Sequence, residues 1–395
     1  MITSIGTYLP PWGSTRARVV GLDEDAVTLA VAAGYAALQS IPATDVRRIV
    51  LVSRDFPLLE GGNAGPLLAG LGLSSAVEVR EQVGGSPATL DALLAGEPGT
   101  VVIGTDVADM PGAAAVFCGT QGAAITSLGR ITRSLPVTTR DSFGNRNEYS
   151  DPRLLRERGL GESLDQLGLG SKFTAVAGVT NKDAIGLCSG QPLVIPTQGA
   201  SAALFALAAL VEHKKEGSLL AVYQATVTAA NVASGAVKVV RDELAPQPLP
   251  KGNLTEGSSI SVSLPAYERA FDAKLRLEAA KCRTCGTLAY PHRYRCLTCG
   301  AEDETDVIAL PREANVCSFT TIRVPVPGLV TPYTVVIAEL GDSGVRLLVK
   351  ATGTQPGTVS IDDKGRLVFR LVAVRAGVPD YGYAFLPNER KEATS

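Results

Sequence analysis

Four cysteines stand in one short run, CRTCGTLAYPHRYRCLTC, at Cys282, Cys285, Cys296 and Cys299. They form two C-x-x-C knuckles separated by ten residues. Each knuckle puts two thiolates on one side of a tight turn, and together they close a tetrahedral four-sulfur site for zinc. Gly286 and Gly300 follow the knuckles and supply the backbone freedom that a turn around a metal needs. Four thiolates leave no open coordination position, so the expected metal holds a fold together and does not activate water. His292 lies between the knuckles; it is the alternative ligand, and a surface position is its other reading.

The rival use of paired cysteines is disulfide or redox chemistry. The chain has seven cysteines in 395 residues. Its opening, MITSIGTYLP, reads as a strand and not as a secretory signal. A reducing, cytoplasmic setting is therefore expected, and there a doubled C-x-x-C points to metal. Three cysteines lie elsewhere. Cys118 in AAVFCGTQG has apolar neighbours and reads as a buried small hydrophobe. Cys188 in IGLCSGQP precedes a serine and a glycine and is the better rival nucleophile, although no histidine is near. Cys317 opens a strand and reads as core. Arg16, Arg18, Arg130 and Arg133 are the candidate contacts for ligand phosphates, with solvated surface as the plainer reading.

The net charge is −2, and no basic run or basic–aromatic interleaving occurs, so nucleic acid is not an expected partner. The longest apolar stretch, 200–211, is too short to span a bilayer and reads as a buried helix; no membrane association is expected.

The elements that must position these residues alternate up to about Val240. Strands are expected at 2–9, 48–53, 76–81 and 100–105, with a strand pair over 113–128. Helices are expected at 23–38 (capped by Asp23), 63–71 and 87–95. A second series follows: a helix near 152–167, strands at 173–179 and 192–195, a helix over 200–212, and strands at 219–227 and 236–241. This rhythm predicts an α/β fold with a mostly parallel sheet and an internal pseudo-duplication. DELAPQPLPKGN reads as a linker. A helix is expected over 264–280, then the cysteine run, then strands at 316–324, 333–340, 345–351 and 367–374. Such a short all-β run fits a small barrel such as an OB-fold.

Two resemblances follow from these residues. The stretch 267–385 resembles the bacterial and archaeal family that joins a rubredoxin-like zinc ribbon to an OB-fold and accompanies thiolases. The matching pieces are YERAF (Tyr267 and Phe271), KCRTCGTLAYPHRYRCLTCG, and the strands SFTTIRVPVPG, PYTVVIAELGDSGVRLLVKATG and LVFRLV. Residues 1–241 look like a thiolase-superfamily domain of the hydroxymethylglutaryl-CoA synthase or ketoacyl synthase kind. SIGTYLP, DEDAVTLAVAA, VVIGTDVAD and QGASAALFALAAL stand in that family's order. The implied architecture is a layered α/β/α/β/α thiolase-like domain at 1–241 and a linker at 242–263. A leader helix and zinc ribbon follow at 264–305, an OB-fold barrel at 306–388 and a tail at 389–395.

The departures from the second family concern its chemistry. The family's nucleophilic cysteine stands at the N-terminus of the central helix, and Val83 in EQVGGSP falls at that place. Its catalytic histidine falls at Gly178 in AVAGVTNKD, with Asn181 at the asparagine of the same motif. Its catalytic asparagine falls at Thr197 in IPTQGAS. The chain has only two histidines, His213 and His292. The resemblances thus imply a non-catalytic subunit that pairs with an active thiolase-family subunit. It would help to bind a coenzyme A thioester, an acyl-CoA, for carbon–carbon bond formation or cleavage. The alternatives are a self-sufficient acyltransferase or aldolase with a relocated site, and a pathway scaffold.

Overall fold

The computed structural model describes every residue except 134, 136, 137, 142–144, 150, 171, 255–272, 325–328, 376 and 389–395. The expected tail, most of the leader helix with Tyr267 and Phe271, and part of the linker therefore lie outside the described residues. The chain divides into two compact units. One comprises Met1–Pro10, Leu29–Ala64 and Ala76–Leu244; the other comprises Pro11–Thr28, Gly65–Ser75 and Ala245–Ser395.

The N-terminal unit is an α/β structure built on two sheets. In chain order it contains β1 (Ile2–Tyr8), α1 (Ala26–Leu38, from Leu29 on), β2 (Arg48–Ser53), β3 (Glu78–Val83), α3 (Ser86–Leu94), β4 (Thr100–Asp106) and β5 (Gly112–Cys118), while α2 (Ala64–Leu71) falls from Gly65 on in the other unit. It continues with β6 (Ile125–Thr132), β7 (Ala175–Ala177), α4 (Asn181–Leu187), α5 (Ala202–Glu212), β8 (Gly217–Tyr223), β9 (Thr226–Val232) and β10 (Lys238–Asp242). The first sheet has the order β10-β1-β5-β4-β2-β3, and the second β7-β8-β9-β6.

These orders contain the expected duplication. In each sheet the first strand of the series (β1, β6) lies beside the last (β5, β9), which runs antiparallel to it and to the strand that follows the central helix (β4, β8). The helices α3 and α5 precede β4 and β8 in the same way. One hydrophobic cluster joins Leu90 and Leu93 of α3, seven residues of α5 between Ala202 and Ala208, Ile5 and Val116 of the first sheet, and Leu219 and Ala230 of the second. The two helices thus form the layer between the sheets. Helix α5, AALFALAALVE, is buried from Ala202 through Leu210, which explains an apolar sequence without a polar stripe.

The sheets are mixed, not mostly parallel. Short links force this, since a two-residue turn or a brief loop joins only antiparallel neighbours. The single strand expected over 219–227 is a hairpin, β8 and β9, which reverses at Gln224 in the left-handed region with φ 54°. No strand forms at 192–195. Pro192 and Pro196 flank that stretch and cannot donate to a ladder, and Val194 is exposed. Helix α4 was not expected; Thr180 caps it by accepting a hydrogen bond from the Asp183 amide. The cap of α1 is Asp25, not Asp23. Its carboxylate accepts from the Thr28 amide while the Thr28 hydroxyl accepts from the Asp25 amide.

The C-terminal unit holds a zinc-ribbon sheet and an OB-fold sheet. The ribbon strands are β11 (Glu278–Cys282), β12 (Leu288–Ala289) and β13 (Thr305–Ala309), in the order β12-β11-β13. The helix expected over 264–280 therefore fails at its described end. Residues 273–276 are helical, Leu277 takes φ 54°, and the chain then extends to pair with β13. The barrel strands are β14 (Glu313–Ile322), β15 (Tyr333–Leu340), β16 (Arg346–Lys350), β17 (Lys364–Arg375) and β18 (Val378–Pro387). Their order is β16-β15-β14-β17-β18, and a bridge between Ala351 and Phe385 brings the two ends together. Cys317 is half-buried at a bulge in β14, with its thiol 3.4 Å from Glu339 Oε2, and is not a core residue.

Candidate functional site

In the zinc ribbon the two knuckles converge. The Cys282, Cys285, Cys296 and Cys299 sulfurs all lie within 4.8 Å of one another. The Cys282–Cys299 and Cys285–Cys296 separations are 3.7 and 3.6 Å. A tetrahedron with Zn–S bonds of about 2.3 Å has edges of about 3.8 Å, so the donor set fits zinc as it stands. The turns are set by the backbone: Gly286 N donates to Cys282 O at 2.9 Å and Gly300 N to Cys296 O at 3.0 Å. Gly286 and Gly300 have φ of 74° and 78°, which is the reason for glycine there. The Thr287 side-chain and backbone hydrogen bonds hold the Cys285 thiol down to about 6, in the range of a ready thiolate. His292 is not in the cluster; its Nε2 lies 3.0 Å from the Thr305 hydroxyl.

In the N-terminal unit, the three positions singled out by resemblance lie as follows. Val83 ends β3 and is exposed. The central helix α3 starts three residues later at Ser86, after Gly85 and with Pro87 in its first turn. Ser86 is fully buried, and its hydroxyl has no hydrogen-bond partner among the described residues. Gly178 lies beside it: a Cβ on Gly178 would meet the Ser86 Cβ at 3.2 Å and the Val222 carbonyl oxygen at 2.0 Å. With φ 83° as well, this backbone does not admit a side chain. Thr197 is buried, and its hydroxyl donates to Ser201 Oγ at 2.8 Å, since the Ser201 proton goes to Asp106.

Residues that the sequence did not mark hold this region together. Asp106, at the end of β4, is completely buried. Its carboxylate accepts from Ala200 N at 2.7 Å, Ser201 N at 2.9 Å and Ser201 Oγ at 2.6 Å, at the start of α5. Burial outweighs these bonds and pushes Asp106 above the usual carboxylate range. Arg54 Nη2 stands 4.0 Å from the Asp106 carboxylate, and its guanidinium lies over the Tyr223 ring at 5.5 Å. Burial opposes the Arg54 charge, but Asp106, Tyr223 and Asp55 prevail and raise its pKa. Arg54, Tyr223, Gly178, Thr180, Gln198 and Leu160 line a cavity of about 540 Å³. The aspartate ending a fully apolar strand, TVVIGTD, was the visible signal for Asp106; Arg54 and Tyr223 had none.

The rival nucleophiles are not activated. Burial pushes Cys118 up to about 11, and burial likewise raises Cys188. Neither histidine is hydrogen-bonded to these thiols: His213 Nδ1 lies 2.7 Å from Ala209 O at the C-terminal end of α5, and His292 Nε2 lies 3.0 Å from the Thr305 hydroxyl. Arg130 is paired with Asp91 at 2.7 Å, and Arg133 with Glu162, so neither is an open phosphate contact. Arg16 is exposed and Arg18 half-buried. In the C-terminal unit a second cavity, of about 420 Å³, is lined by Trp12, Leu22, Val330, Tyr333, Lys350 and Arg370. Among the described residues no helix is long and apolar enough to cross a membrane.

Comparisons with known proteins bear on the C-terminal unit first. Residues 272–305 match the model of the ChsH2 rubredoxin-like zinc ribbon domain, and residues 307–370 that of the ChsH2 C-terminal OB-fold domain. A DUF35 domain-containing scaffold protein of Methanocaldococcus jannaschii is 30% identical over 117 residues, which is 29% of this chain and 82% of the relative. The benzoylsuccinyl-CoA thiolase subunit BbsA of Thauera aromatica is 31% identical over 110 residues, 28% of this chain and 74% of the relative. Among solved structures, Xanthomonas campestris OleA with cerulenin bound aligns at 15% identity and TM-score 0.49, covering 59% of this chain and 96% of that one. In the N-terminal unit the two sheets repeat one topology, with α3 and α5 between them. By its zinc ribbon and OB-fold, the chain belongs to the DUF35 family.

Proposed function

We propose that this chain is a non-catalytic subunit that pairs with an active thiolase-family subunit and helps it bind an acyl-CoA for carbon–carbon bond formation or cleavage. One observation carries the reading. The N-terminal unit keeps the layered sheets and the buried helix start, yet no nucleophile–base pair stands there among the described residues. Ser86 has a hydroxyl without a base, the Gly178 backbone excludes a histidine, and Thr197 is spent on Ser201. Acyl-enzyme formation needs an activated nucleophile next to a base. Val83, Gly178 and Thr197 are thus the degenerate catalytic positions, with Ser86 at the helix start.

The relative named as a thiolase subunit supports the partnership. The apolar cavity of the C-terminal unit, with the Lys350 ammonium at its wall, suits the acyl and pantetheine portion of a coenzyme A thioester. The four cysteines hold one structural zinc. Co-purification from the native host tests the reading. The expected result is a stoichiometric complex with a thiolase-family protein that retains a catalytic cysteine. A chain that purifies alone and turns over acyl-CoA by itself would overturn it.

A further inference from the structure

We propose that Lys350, in the cavity of the C-terminal unit, binds an apolar aldehyde or ketone as a reversible imine. The cavity of about 420 Å³ lies within the usual range for small-molecule sites. Leu22, Leu249, Leu329, Val330 and Val372 give it apolar walls. Lys350 stands in the wall beside Tyr333, with its Nζ 5.1 Å from the centre of the ring. A ring face attracts an ammonium but accepts none of its protons as a carboxylate would. Among the described residues this Nζ makes no hydrogen bond and no ion pair. The other cations of the wall are engaged or outside. Arg370 lies 3.3 Å from the Glu24 carboxylate and 3.8 Å from that of Asp23, and Lys251 is exposed.

A lysine amine set in an apolar wall is a nucleophile in waiting. An ordinary lysine, with a pKa of about 10.4, is only about 0.04% free amine at pH 7. Burial opposes the charge of Lys350 and outweighs Asp23, which favours it, so the free-amine share is larger here. The Nζ lone pair attacks the carbonyl carbon, and a proton passes from nitrogen to oxygen. The resulting carbinolamine loses its hydroxyl as water and leaves the C=N bond. No oxidant or reductant is consumed, and hydrolysis returns the amine and the carbonyl compound. The apolar walls take up the carbon body and shield the imine from water. They select an aliphatic or aromatic carbonyl compound over a hydroxylated one, whose hydroxyls would lose their hydration there. The inference needs neither a partner subunit nor coenzyme A, so it stands or falls apart from the proposed function.

Reductive trapping on the full chain at pH 7 tests it, with hexanal and cyanoborohydride, and with glyceraldehyde as the hydroxylated comparison. Peptide mapping should find Lys350 labelled by hexanal at least tenfold more than any other lysine, and at least tenfold less by glyceraldehyde. Trp12, the only tryptophan of the chain, lines the cavity, so its fluorescence should respond to hexanal before any reductant is added. Lys350→Arg keeps a cation for the Tyr333 ring and should lose that response. Ala373→Phe fills the cavity and leaves Lys350 in place; it should lower labelling of Lys350 at least tenfold. Hexanal spread evenly over the lysines, glyceraldehyde that labels Lys350 equally well, or labelling that survives Ala373→Phe would overturn the proposal.

Discussion

Asp106 offers the sharpest quantitative test of how the N-terminal unit is held together. Replacing it with alanine removes the acceptor of three donors, Ala200 N, Ser201 N and Ser201 Oγ, in a site with no solvent exposure. The Ser201 hydroxyl keeps its bond to Thr197 Oγ1, so two backbone amides are left without an acceptor. At about 1–3 kcal/mol each, this costs about 2–6 kcal/mol, and relief from burying a carboxylate offsets part of it, leaving about 2–4 kcal/mol. Ser201→Ala removes a donor but strands no amide and should cost about 1 kcal/mol. Hydrogen exchange of α5 peptides across a urea series reads the unit that contains the site. Asp106→Ala within about 1 kcal/mol of wild type would refute the reasoning. The pH dependence adds a sign. Burial raises Asp106 above its usual value of 3.8, so over the window between the two values the folded state binds a proton that the unfolded state has lost. This contribution is fully present below 3.8 and is lost as pH rises through the folded value. Wild type should therefore gain on Asp106→Asn as pH falls from about 7 towards 4. A gap that stays constant, or moves the other way, contradicts the burial argument.

Three further outcomes are expected. Metal analysis should find about one zinc per chain, lost in Cys282→Ser and Cys296→Ser; since zinc binding in such sites is worth about 10–16 kcal/mol, chelation should open β11–β13 to proteolysis, and retained stoichiometric zinc in both variants would refute the assignment. Gly178→Ala should destabilise by at least about 2 kcal/mol in urea unfolding, because the left-handed backbone costs about 1–2 kcal/mol and the new Cβ would meet the Val222 oxygen at 2.0 Å. Arg370→Met should cost about 3–5 kcal/mol by removing the cation 3.3 Å from the buried Glu24 carboxylate, which keeps its bond from the Gly21 amide, and Arg370→Met with Glu24→Gln should recover part of that loss.

The legibility of this chain in its sequence follows the range of the interactions. The cysteine run was readable because a knuckle is local: four residues and a glycine define it. The strand TVVIGTD and the helix AALFALAALVE were readable because burial on all sides needs an unbroken apolar run. The direction of β5 and the hairpin at Gln224 were not, since both depend on link length and on one left-handed residue. The start of α3, expected at residue 87 and found at Ser86, was readable because Gly85 and Pro87 punctuate the chain there. Arg54 and Tyr223 were invisible, because they meet only after residues about 170 positions apart are folded together, and no local pattern encodes that.

The central claim is that the N-terminal unit does not form an acyl-enzyme. Intact-protein mass spectrometry of the purified chain after incubation with acetyl-CoA and acetoacetyl-CoA tests it most directly. The account predicts an unchanged mass and no release of free coenzyme A. An acyl adduct mapped to Ser86, Cys118 or Cys188, formed at the rate of coenzyme A release, would contradict it.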